Sequence, residues 1–292
     1  MIFDEDDLPV GRVLTRRDAV RLLAVSGAAA IAGCRPGSGS VSDTTPAGRV
    51  ATVGAANVLP ACVAKPELEI GPYFLDKQLD RSDIRMDPGT KAVKYGATLR
   101  LVFNVRQIAN GQCTPLPGAM VDLWHCDAAG EYSGFADNRV GFNTVGQQFL
   151  RGYQVSDANG VARFTTIYPG WYPGRAVHLH FKIRTPASAV AANGADPVYE
   201  FTSQLFFDES FTDRVHARAP YAAKGQRDLR NRNDRIYQES GDTLLLNVAS
   251  VGDGYDAGFD IGLDLSDTNT GRPDGMRRRG PAGPRPPRRP TG

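Results

Sequence analysis

The sequence predicts an all-β fold, an antiparallel β-sandwich with short helical and loop insertions. Three features favour it: many short apolar runs, glycine- and proline-containing turns between them, and no helices that alternate with the strands. The stretch TLRLVFNVR, residues 98–106, is an example, because apolar side chains such as Leu99 and Phe103 alternate with polar ones such as Arg100 and Asn104. This period-two alternation is typical of a strand with one buried face.

Further short strands are predicted along the chain, at AMVDLWH (119–125), VARFTTI (161–167), VHLHFKI (177–183), FTSQLFF (201–207), TLLLNVA (243–249) and GFDIGLDL (258–265). The turn DANG at residues 157–160 lies between two strand patterns and predicts a β-hairpin. Helical periodicity is weak except in the N-terminal segment and over residues 220–237.

The folded domain is expected over residues 62–265. A linker rich in Gly, Ser, Thr and Ala precedes it at residues 35–61, and a basic tail rich in Pro, Arg and Gly follows at residues 266–292, where we expect disorder. The composition, 41% hydrophobic and 23% charged, is typical of a soluble globular protein. A net charge of +2 is too small to indicate binding to nucleic acid or to a membrane surface.

Residues 1–34 are typical of a bacterial export signal. Arg16 and Arg17 precede an apolar run that is shorter than the about 20 residues a membrane-spanning helix needs, and the pair resembles a twin-arginine signal. The segment Ile31–Cys34 resembles a lipoprotein cleavage box with Cys34 as the acylated residue, although isoleucine replaces the usual leucine, which leaves the lipid anchor open. We therefore expect an exported protein, either a cell-envelope lipoprotein or a secreted one.

Three further cysteines lie in the predicted domain. Cys113 and Cys126 flank a predicted strand, which would hold them too far apart to form a disulfide. We expect Cys62 to pair with one of these two, and the sequence leaves open which. Because no CxxC spacing occurs, a zinc site built from cysteines is not expected.

The stretch YPGWYPGRAVHLHF, residues 168–181, contains the most informative pattern in the chain. His178 and His180 are two residues apart on a predicted strand, so both imidazoles would point to the same side, as metal ligands require. No Asp or Glu lies between Asn159 and His178, but Tyr168, Tyr172 and Arg175 lie close by. A phenolate has an unperturbed pKa near 10 and stays deprotonated at neutral pH only beside a strongly Lewis-acidic cation. Two histidines with two tyrosines therefore indicate Fe(III).

Two longer segments, PLPGAMVDLWHCDAAGEYSGF and FTTIYPGWYPGRAVHLHFKI, resemble the intradiol ring-cleavage dioxygenases, the group that contains catechol 1,2- and protocatechuate 3,4-dioxygenases. The resemblance covers roughly residues 62–264, with the motifs in order. It implies that a non-haem Fe(III) is held by Tyr132, Tyr172, His178 and His180. It also implies that Arg175 is catalytic and that Gln204 supports it, although residues 185–200 lengthen the spacing between His180 and Gln204 beyond the family's usual one.

The resemblance further implies the reaction and the pocket. A catechol-type diol would be cleaved by O₂, with both oxygen atoms inserted, to give a cis,cis-muconate-type diacid. Tyr172 would leave the metal with a substrate proton, and Arg175 would stabilise developing negative charge. Pro72, Tyr73 and Trp171 are candidates for the substrate pocket. We interpret His125 as a structural, hydrogen-bonding histidine and His216 as exposed.

Two alternatives belong to other functional classes. One is a non-catalytic, exported, prealbumin-like β-sandwich that binds a surface ligand; the other is a zinc-dependent hydrolase that uses His178, His180 and a further ligand. Which catechol is cleaved and which oligomer forms do not follow from the sequence.

Overall fold

The computed structural model describes residues 64–185, 199–267 and 270. The predicted export signal, the linker, most of the basic tail and most of the insertion before Gln204 lie outside the described residues. The strands are β1 Thr98–Ala109, β2 Gln112–Pro115, β3 Met120–Trp124, β4 Ala136–Asp137, β5 Phe142–Asn143, β6 Arg151–Val155, β7 Val161–Ile167, β8 His178–Arg184, β9 Glu200–Phe207, β10 Leu245–Val251 and β11 Gly254–Leu263.

In the part of the chain that the structure describes, nine strands form one sheet, in the order β2-β1-β11-β10-β9-β8-β3-β6, with β7 paired to β1; β4 and β5 pair separately. The predicted all-β class is confirmed, but the prediction of a purely antiparallel arrangement is wrong. Strand β1 runs parallel to β11 over Leu99 to Gln107, and β10 runs parallel to β9 at Leu245 and Leu246. Alternating polarity shows which face of a strand is buried, but it carries no information on the direction of the neighbouring strand.

The sheet curls so that distant strands pack against each other. On β1, the side chains of Leu99, Leu101, Phe103 and Val105 are all fully buried. The ring of Phe103 lies 5.4 Å from that of Phe181 on β8 and 5.8 Å from that of Phe259 on β11 (centroid distances). Because β8 is far from β1 in the strand order, this contact closes the core by folding one half of the sheet over the other.

All seven predicted strands are confirmed. In chain order they correspond to β1, β3, β7, β8, β9, β10 and β11, predicted at residues 98–106, 119–125, 161–167, 177–183, 201–207, 243–249 and 258–265. The hairpin predicted at 157–160 is wrong. The turn exists, since the Gly160 amide donates to the Asp157 carbonyl (2.8 Å), but β6 pairs with β3 and β7 pairs with β1. The turn therefore connects the two halves of the sheet.

Among the described residues, the helices are short and lie between β9 and β10. Helix α1 spans Glu209–His216 and helix α2 spans Arg235–Ser240, and 3₁₀ turns occupy Tyr221–Lys224, Asn231–Asn233 and Gly241–Leu244. The helical pattern noted over residues 220–237 corresponds to separate short pieces. Each α-helix begins at an aspartate whose side chain accepts a first-turn amide hydrogen, Asp208 for α1 and Asp234 for α2.

No helix among the described residues is long and apolar enough to cross a membrane. Cys113 is disulfide-bonded, whereas Cys126 is a buried free thiol, so the partner of Cys113 lies outside the described residues.

Candidate metal centre

Strand β8 carries the two histidines at the interior of the sheet, between β3 and β9. His178 and His180 point to one face, whereas Leu179 and Phe181 point to the other and enter the core. Both faces are covered, and His178 and His180 are only 2% and 1% exposed. Their Nε2 atoms lie 3.0 Å apart. The structure therefore brings the two imidazoles together in a buried place.

The hydrogen bonds of His178 determine its tautomer. Its Nδ1 lies 2.6 Å from the carbonyl oxygen of Ala176, which can only accept, so Nδ1 carries the proton. The Nε2 atom then presents a lone pair to the centre, where the hydroxyl of Tyr172 lies 3.2 Å away. A neutral imidazole with a free Nε2 lone pair, fixed through its other nitrogen, is the form that binds metals.

Tyr132 lies on the loop between β3 and β4 and is fully buried. Its hydroxyl has no hydrogen-bond partner of adequate geometry, and neither has Nδ1 of His180. The ring of Tyr132 lies 5.7 Å from that of Tyr172 and 6.1 Å from that of His180 (centroid distances). A buried hydroxyl without a partner is unfavourable, so its occurrence beside the histidines needs an explanation.

The loop that carries Tyr132 is held by polar contacts on both sides of the tyrosine. The carboxylate of Asp127 accepts the amide hydrogens of Ala129 (2.9 Å) and Glu131 (3.0 Å), which closes the turn. The buried guanidinium of Arg151, on β6, donates from Nε to the hydroxyl of Ser133 (2.7 Å). These contacts fix the backbone on either side of Tyr132, so its ring has a defined position.

Burial determines the protonation of the four groups. It raises the pKa of Tyr172 to about 12 and that of Tyr132 well above 10. It lowers the pKa values of His178 and His180 well below 6.5. At neutral pH both imidazoles are thus uncharged, and the phenols keep their protons until a cation favours the phenolates.

The donor set fits Fe(III). Among the described residues, no group of three or more His, Cys, Asp and Glu side chains that could hold a metal is present, so the donors beyond the two imidazoles are phenol oxygens. A phenolate is a hard, anionic ligand, which suits a strongly Lewis-acidic cation better than the softer divalent metals. A cation at this place would also give the hydroxyl of Tyr132 the partner that it lacks.

Arg175 lies beside these groups and is held on several sides. Its Nε donates to Asp234 (2.9 Å), one terminal nitrogen donates to Oε1 of Gln204 (2.6 Å), and the other lies 3.8 Å from Glu69. Gln204 is opposite His180 in the pairing of β8 with β9, and its Nε2 donates to the carbonyl of Glu69 (3.0 Å). Burial lowers the pKa of Arg175, but the charges of Tyr172 and Asp234 more than offset this, so the guanidinium stays cationic.

Aromatic rings and a glycine set the orientation of the candidate ligands. Trp124 of β3 stacks on His180, with centroids 5.1 Å apart and planes at 10°. On Gly71, a Cβ atom would lie 3.0 Å from Cε1 of His180, at a φ of +71° that favours glycine. Tyr73 stacks on Tyr132, with centroids 4.3 Å apart, and donates its hydroxyl to Asp137.

The other pocket candidates lie nearby in the chain. Pro72 is exposed, next to the buried Tyr73. Trp171 is partly buried, donates from Nε1 to the carbonyl of Gly225 (3.3 Å) and has the ammonium of Lys224 over its ring. Their roles in substrate binding stay predictions.

The remaining histidines have structural contacts. His125 is buried, with Nδ1 2.8 Å from the carbonyl of Cys126 and Nε2 2.6 Å from the hydroxyl of Thr166, so its prediction as a hydrogen-bonding histidine is confirmed. The prediction that His216 is exposed is wrong. Its Nε2 donates to the carbonyl of Pro169 (3.0 Å) and its ring stacks on Tyr221, because α1 packs against the segment that leads to Tyr172.

Sequence reasoning missed Trp124 and Asp234. Trp124 belongs to a predicted strand and to a segment that resembles the family, but neither predicts its role. Its stacking on His180 follows from the pairing of β3 with β8. Asp234 precedes an apolar residue at the start of a short helix, which is a weak capping signal, but its contact with Arg175 joins residues 59 positions apart. Neither contact has a local sequence signature.

Known proteins are similar to this chain over its folded part. The family model described as "Dioxygenase" matches residues 70–215. The intradiol ring-cleavage dioxygenase from Tetranychus urticae is 31% identical, with a TM-score of 0.59 over 70% of this chain and 97% of that one.

Among curated proteins, hydroxyquinol 1,2-dioxygenase of Corynebacterium glutamicum is 26% identical over 175 residues, which is 51% of this chain and 53% of that protein. Catechol 1,2-dioxygenase of a Pseudomonas species is 34% identical over 86 residues, 30% of this chain and 24% of that protein. The chain thus matches about half the length of the first and about a quarter of the second.

Proposed function

The chain belongs to the intradiol ring-cleavage dioxygenase family, and on this premise we propose that it is a non-haem Fe(III) enzyme that cleaves a catechol-type diol. In the proposed reaction, one molecule of O₂ is consumed for each diol. The bond between the two hydroxyl-bearing carbons breaks and both oxygen atoms enter the product, a cis,cis-muconate-type diacid.

One observation carries this proposal. Two neutral imidazoles with Nε2 atoms 3.0 Å apart lie beside two buried phenols, one of which makes no hydrogen bond of adequate geometry. Such an arrangement is unfavourable in a protein that binds no cation there. We propose that Tyr132, Tyr172, His178 and His180 hold the iron.

When bound, Fe(III) would supply Lewis acidity that stabilises phenolates and activates a chelated diol toward O₂. The protein's own contribution begins with His178, whose Nδ1–H bond to the carbonyl of Ala176 keeps its Nε2 lone pair directed at the centre. Stacking of Trp124 on His180 similarly keeps that ring in place. The full burial of Tyr132 excludes water from the side of the site where it lies.

Tyr172 is the proposed proton acceptor. Burial raises the pKa of the metal-free Tyr172 to about 12, so its Oη would retain a proton that it accepts from a substrate hydroxyl. Arg175 would stabilise the negative charge that develops on the aromatic ring, as a fixed cation in a site with little water. Gln204 supports this role by accepting a hydrogen bond from the guanidinium (2.6 Å).

The proposal includes the finer fold type and the location. With β1 and β8 facing each other through phenylalanine rings, we assign the curled sheet to the prealbumin-like sandwich type. We also propose that the protein is exported, with Cys34 as the residue that would carry a lipid.

The test is a visible spectrum and a product assay on the same iron-loaded protein, with iron content measured. We expect a charge-transfer band from phenolate to Fe(III), a shift of that band when a catechol is added, and a muconate-type product with equimolar O₂ uptake. Catechol, hydroxyquinol and protocatechuate are supplied in separate assays, and their rates of O₂ uptake show which one is the preferred substrate. The Tyr172→Phe variant should have an altered band and slower turnover.

A protein that stays colourless after iron loading and forms no product would contradict the proposal and favour the non-catalytic binding module. Zinc retention with hydrolytic activity would favour the hydrolase. An unchanged spectrum and unchanged kinetics of Tyr172→Phe would exclude Tyr172 from the site.

A further inference from the structure

Asp234 is a buried carboxylate, 1% exposed, whose two oxygens serve different parts of the molecule. Oδ1 accepts the amide hydrogens of Ile236 (2.8 Å) and Tyr237 (3.0 Å) and so caps α2. Oδ2 accepts the amide hydrogen of Ala176 (2.7 Å) and the Nε hydrogen of Arg175 (2.9 Å). One side chain thus connects the start of a helix with the segment that enters β8.

This position links Asp234 to two groups at the proposed metal centre. The first is the guanidinium of Arg175, through the ion pair at Nε. The second is His178, because the Ala176 carbonyl that accepts the proton of His178 Nδ1 belongs to the residue whose amide Asp234 binds. The start of β8 is therefore held by backbone and side-chain contacts to the same carboxylate.

The ion pair with Asp234 is also the closest carboxylate contact of Arg175. Glu69 lies 3.8 Å from the guanidinium, beyond hydrogen-bonding distance, and Gln204 is uncharged. The contacts with Asp234 and Gln204 reach different nitrogens of one planar group, so together they determine its orientation. Losing the Asp234 contact would leave the guanidinium held mainly at one terminal nitrogen.

We propose that Asp234 is a positioning residue for the ring-cleavage reaction, which acts by holding the guanidinium of Arg175 in its working geometry, while its contact with the Ala176 amide fixes the backbone beside that arginine. This inference rests on the proposed function. It assigns to Asp234 no contact with substrate or metal.

The Asp234→Asn variant tests the proposal. Asparagine keeps the size of the side chain and an oxygen that can cap α2, but its NH₂ group replaces Oδ2 and faces two N–H donors. We expect kcat to fall by about 10- to 100-fold, with a much smaller change in KM, because misplaced catalytic groups slow the reaction more than they weaken binding.

Asp208→Asn is the matched control. Asp208 caps α1 through the amide of Phe211 (2.8 Å), and it is exposed and far in the chain from the proposed ligands. Its replacement should leave kcat and KM unchanged. Equal losses of kcat in both variants would mean that capping alone matters and would overturn the proposal.

A double-mutant cycle with Arg175→Gln asks whether Asp234 acts through the arginine. We expect Asp234→Asn to have little further effect on kcat in the Arg175→Gln background. If the two effects on kcat instead multiply, Asp234 acts independently of Arg175 and the proposal is wrong.

A measurement without iron separates this inference from the proposed function. In the metal-free protein, the ¹H–¹⁵N signal of Arg175 Nε should shift and lose its protection from exchange in Asp234→Asn but not in Asp208→Asn. An unmoved Nε signal would overturn the role of Asp234 whatever the activity. An inactive iron-loaded wild type would instead count against the proposed function.

Discussion

Tyr132 and Tyr168 are both fully buried phenols, but their hydroxyls differ in their contacts. The hydroxyl of Tyr168 lies 2.8 Å from that of Thr212, whereas that of Tyr132 has the Tyr172 hydroxyl nearby but no hydrogen bond of adequate geometry. An unsatisfied buried polar group costs roughly 1–3 kcal/mol, so the Tyr132 hydroxyl is an unfavourable group in the metal-free protein. Such a cost is consistent with the proposed role of Tyr132 as a metal ligand.

The Tyr132→Phe and Tyr168→Phe variants should therefore change stability in opposite directions. In the metal-free protein, we expect Tyr132→Phe to raise the free energy of unfolding by about 1 kcal/mol, because it removes an unsatisfied hydroxyl. Tyr168→Phe should lower it by about 1 kcal/mol, because it breaks a hydrogen bond. Urea unfolding measures both, and only Tyr132→Phe should weaken the visible band of the iron-loaded protein. Equal destabilisation by both variants would contradict this account.

Gly71 tests whether close contact with His180 matters for metal binding. In Gly71→Ala, the new methyl would lie 3.0 Å from Cε1 of His180, so the ring must move. Gly111→Ala is a matched control, since its φ of +72° is similar but nothing lies within 4 Å of the new atom.

Both alanine variants should lose about 1–2 kcal/mol of stability from the left-handed backbone conformation. Only Gly71→Ala should also bind iron more weakly, as measured by titration of the metal-free protein. Unchanged iron affinity in Gly71→Ala would show that His180 tolerates displacement.

At the scale of elements, β8 combines the core and the site on opposite faces. Its neighbours β3 and β9 fix its register, with His180 opposite Trp124 and Gln204. The side chains on the other face of β8 would usually face solvent in such a sheet. Here they face the buried loops that carry Tyr132 and Tyr172. The period-two pattern predicted both faces of β8, but it did not predict that both would be buried.

Phe181→Ala tests the core face of β8. Phe181 is fully buried and contacts the rings of Phe103 and Phe259, so its truncation should cost about 3–5 kcal/mol in the free energy of unfolding. Val155→Ala, on β6 and 50% exposed, is the control and should change stability by at most about 0.5 kcal/mol. Urea unfolding compares them. A cost below about 1 kcal/mol for Phe181→Ala would mean that the halves of the sheet do not pack through this ring.

At the scale of the whole molecule, burial depresses the pKa of every one of the four histidines. For His125 the folded value is about 4, below the usual 6.5. The folded protein keeps these rings neutral while the unfolded chain protonates them near pH 6.5. Stability is therefore complete above that pH and is lost as the pH falls toward the folded values.

We expect the metal-free protein to lose stability steeply between pH 7 and pH 4, with His125 alone contributing about 3 kcal/mol. Asp122 acts in the opposite direction, because burial raises its pKa to about 6 and the folded state retains its proton. Because four histidines oppose it, the net effect should remain a loss. Urea unfolding at pH 7, 5.5 and 4.5 measures the slope, and His125→Gln should reduce it. A free energy of unfolding independent of pH over this range would contradict the prediction.

The sequence by itself determined the all-β class, seven of the strands, the core-facing side of those strands and the chemical types at the site. Each of these depends on residues close together in the chain: alternation within β1, the spacing of His178 and His180, and the motifs around Tyr132 and Tyr172. The family followed from the order of these motifs.

Only the tertiary structure decided which elements meet. Three contacts join residues that are far apart in the chain. They are the parallel pairing of β1 with β11, the stacking of Trp124 on His180 and the ion pair of Asp234 with Arg175. Local polarity indicates which face of a strand favours the core, whereas the partner of each side chain depends on how the whole sheet curls. For the same reason, the absence of a partner for the Tyr132 hydroxyl became visible only in the folded molecule.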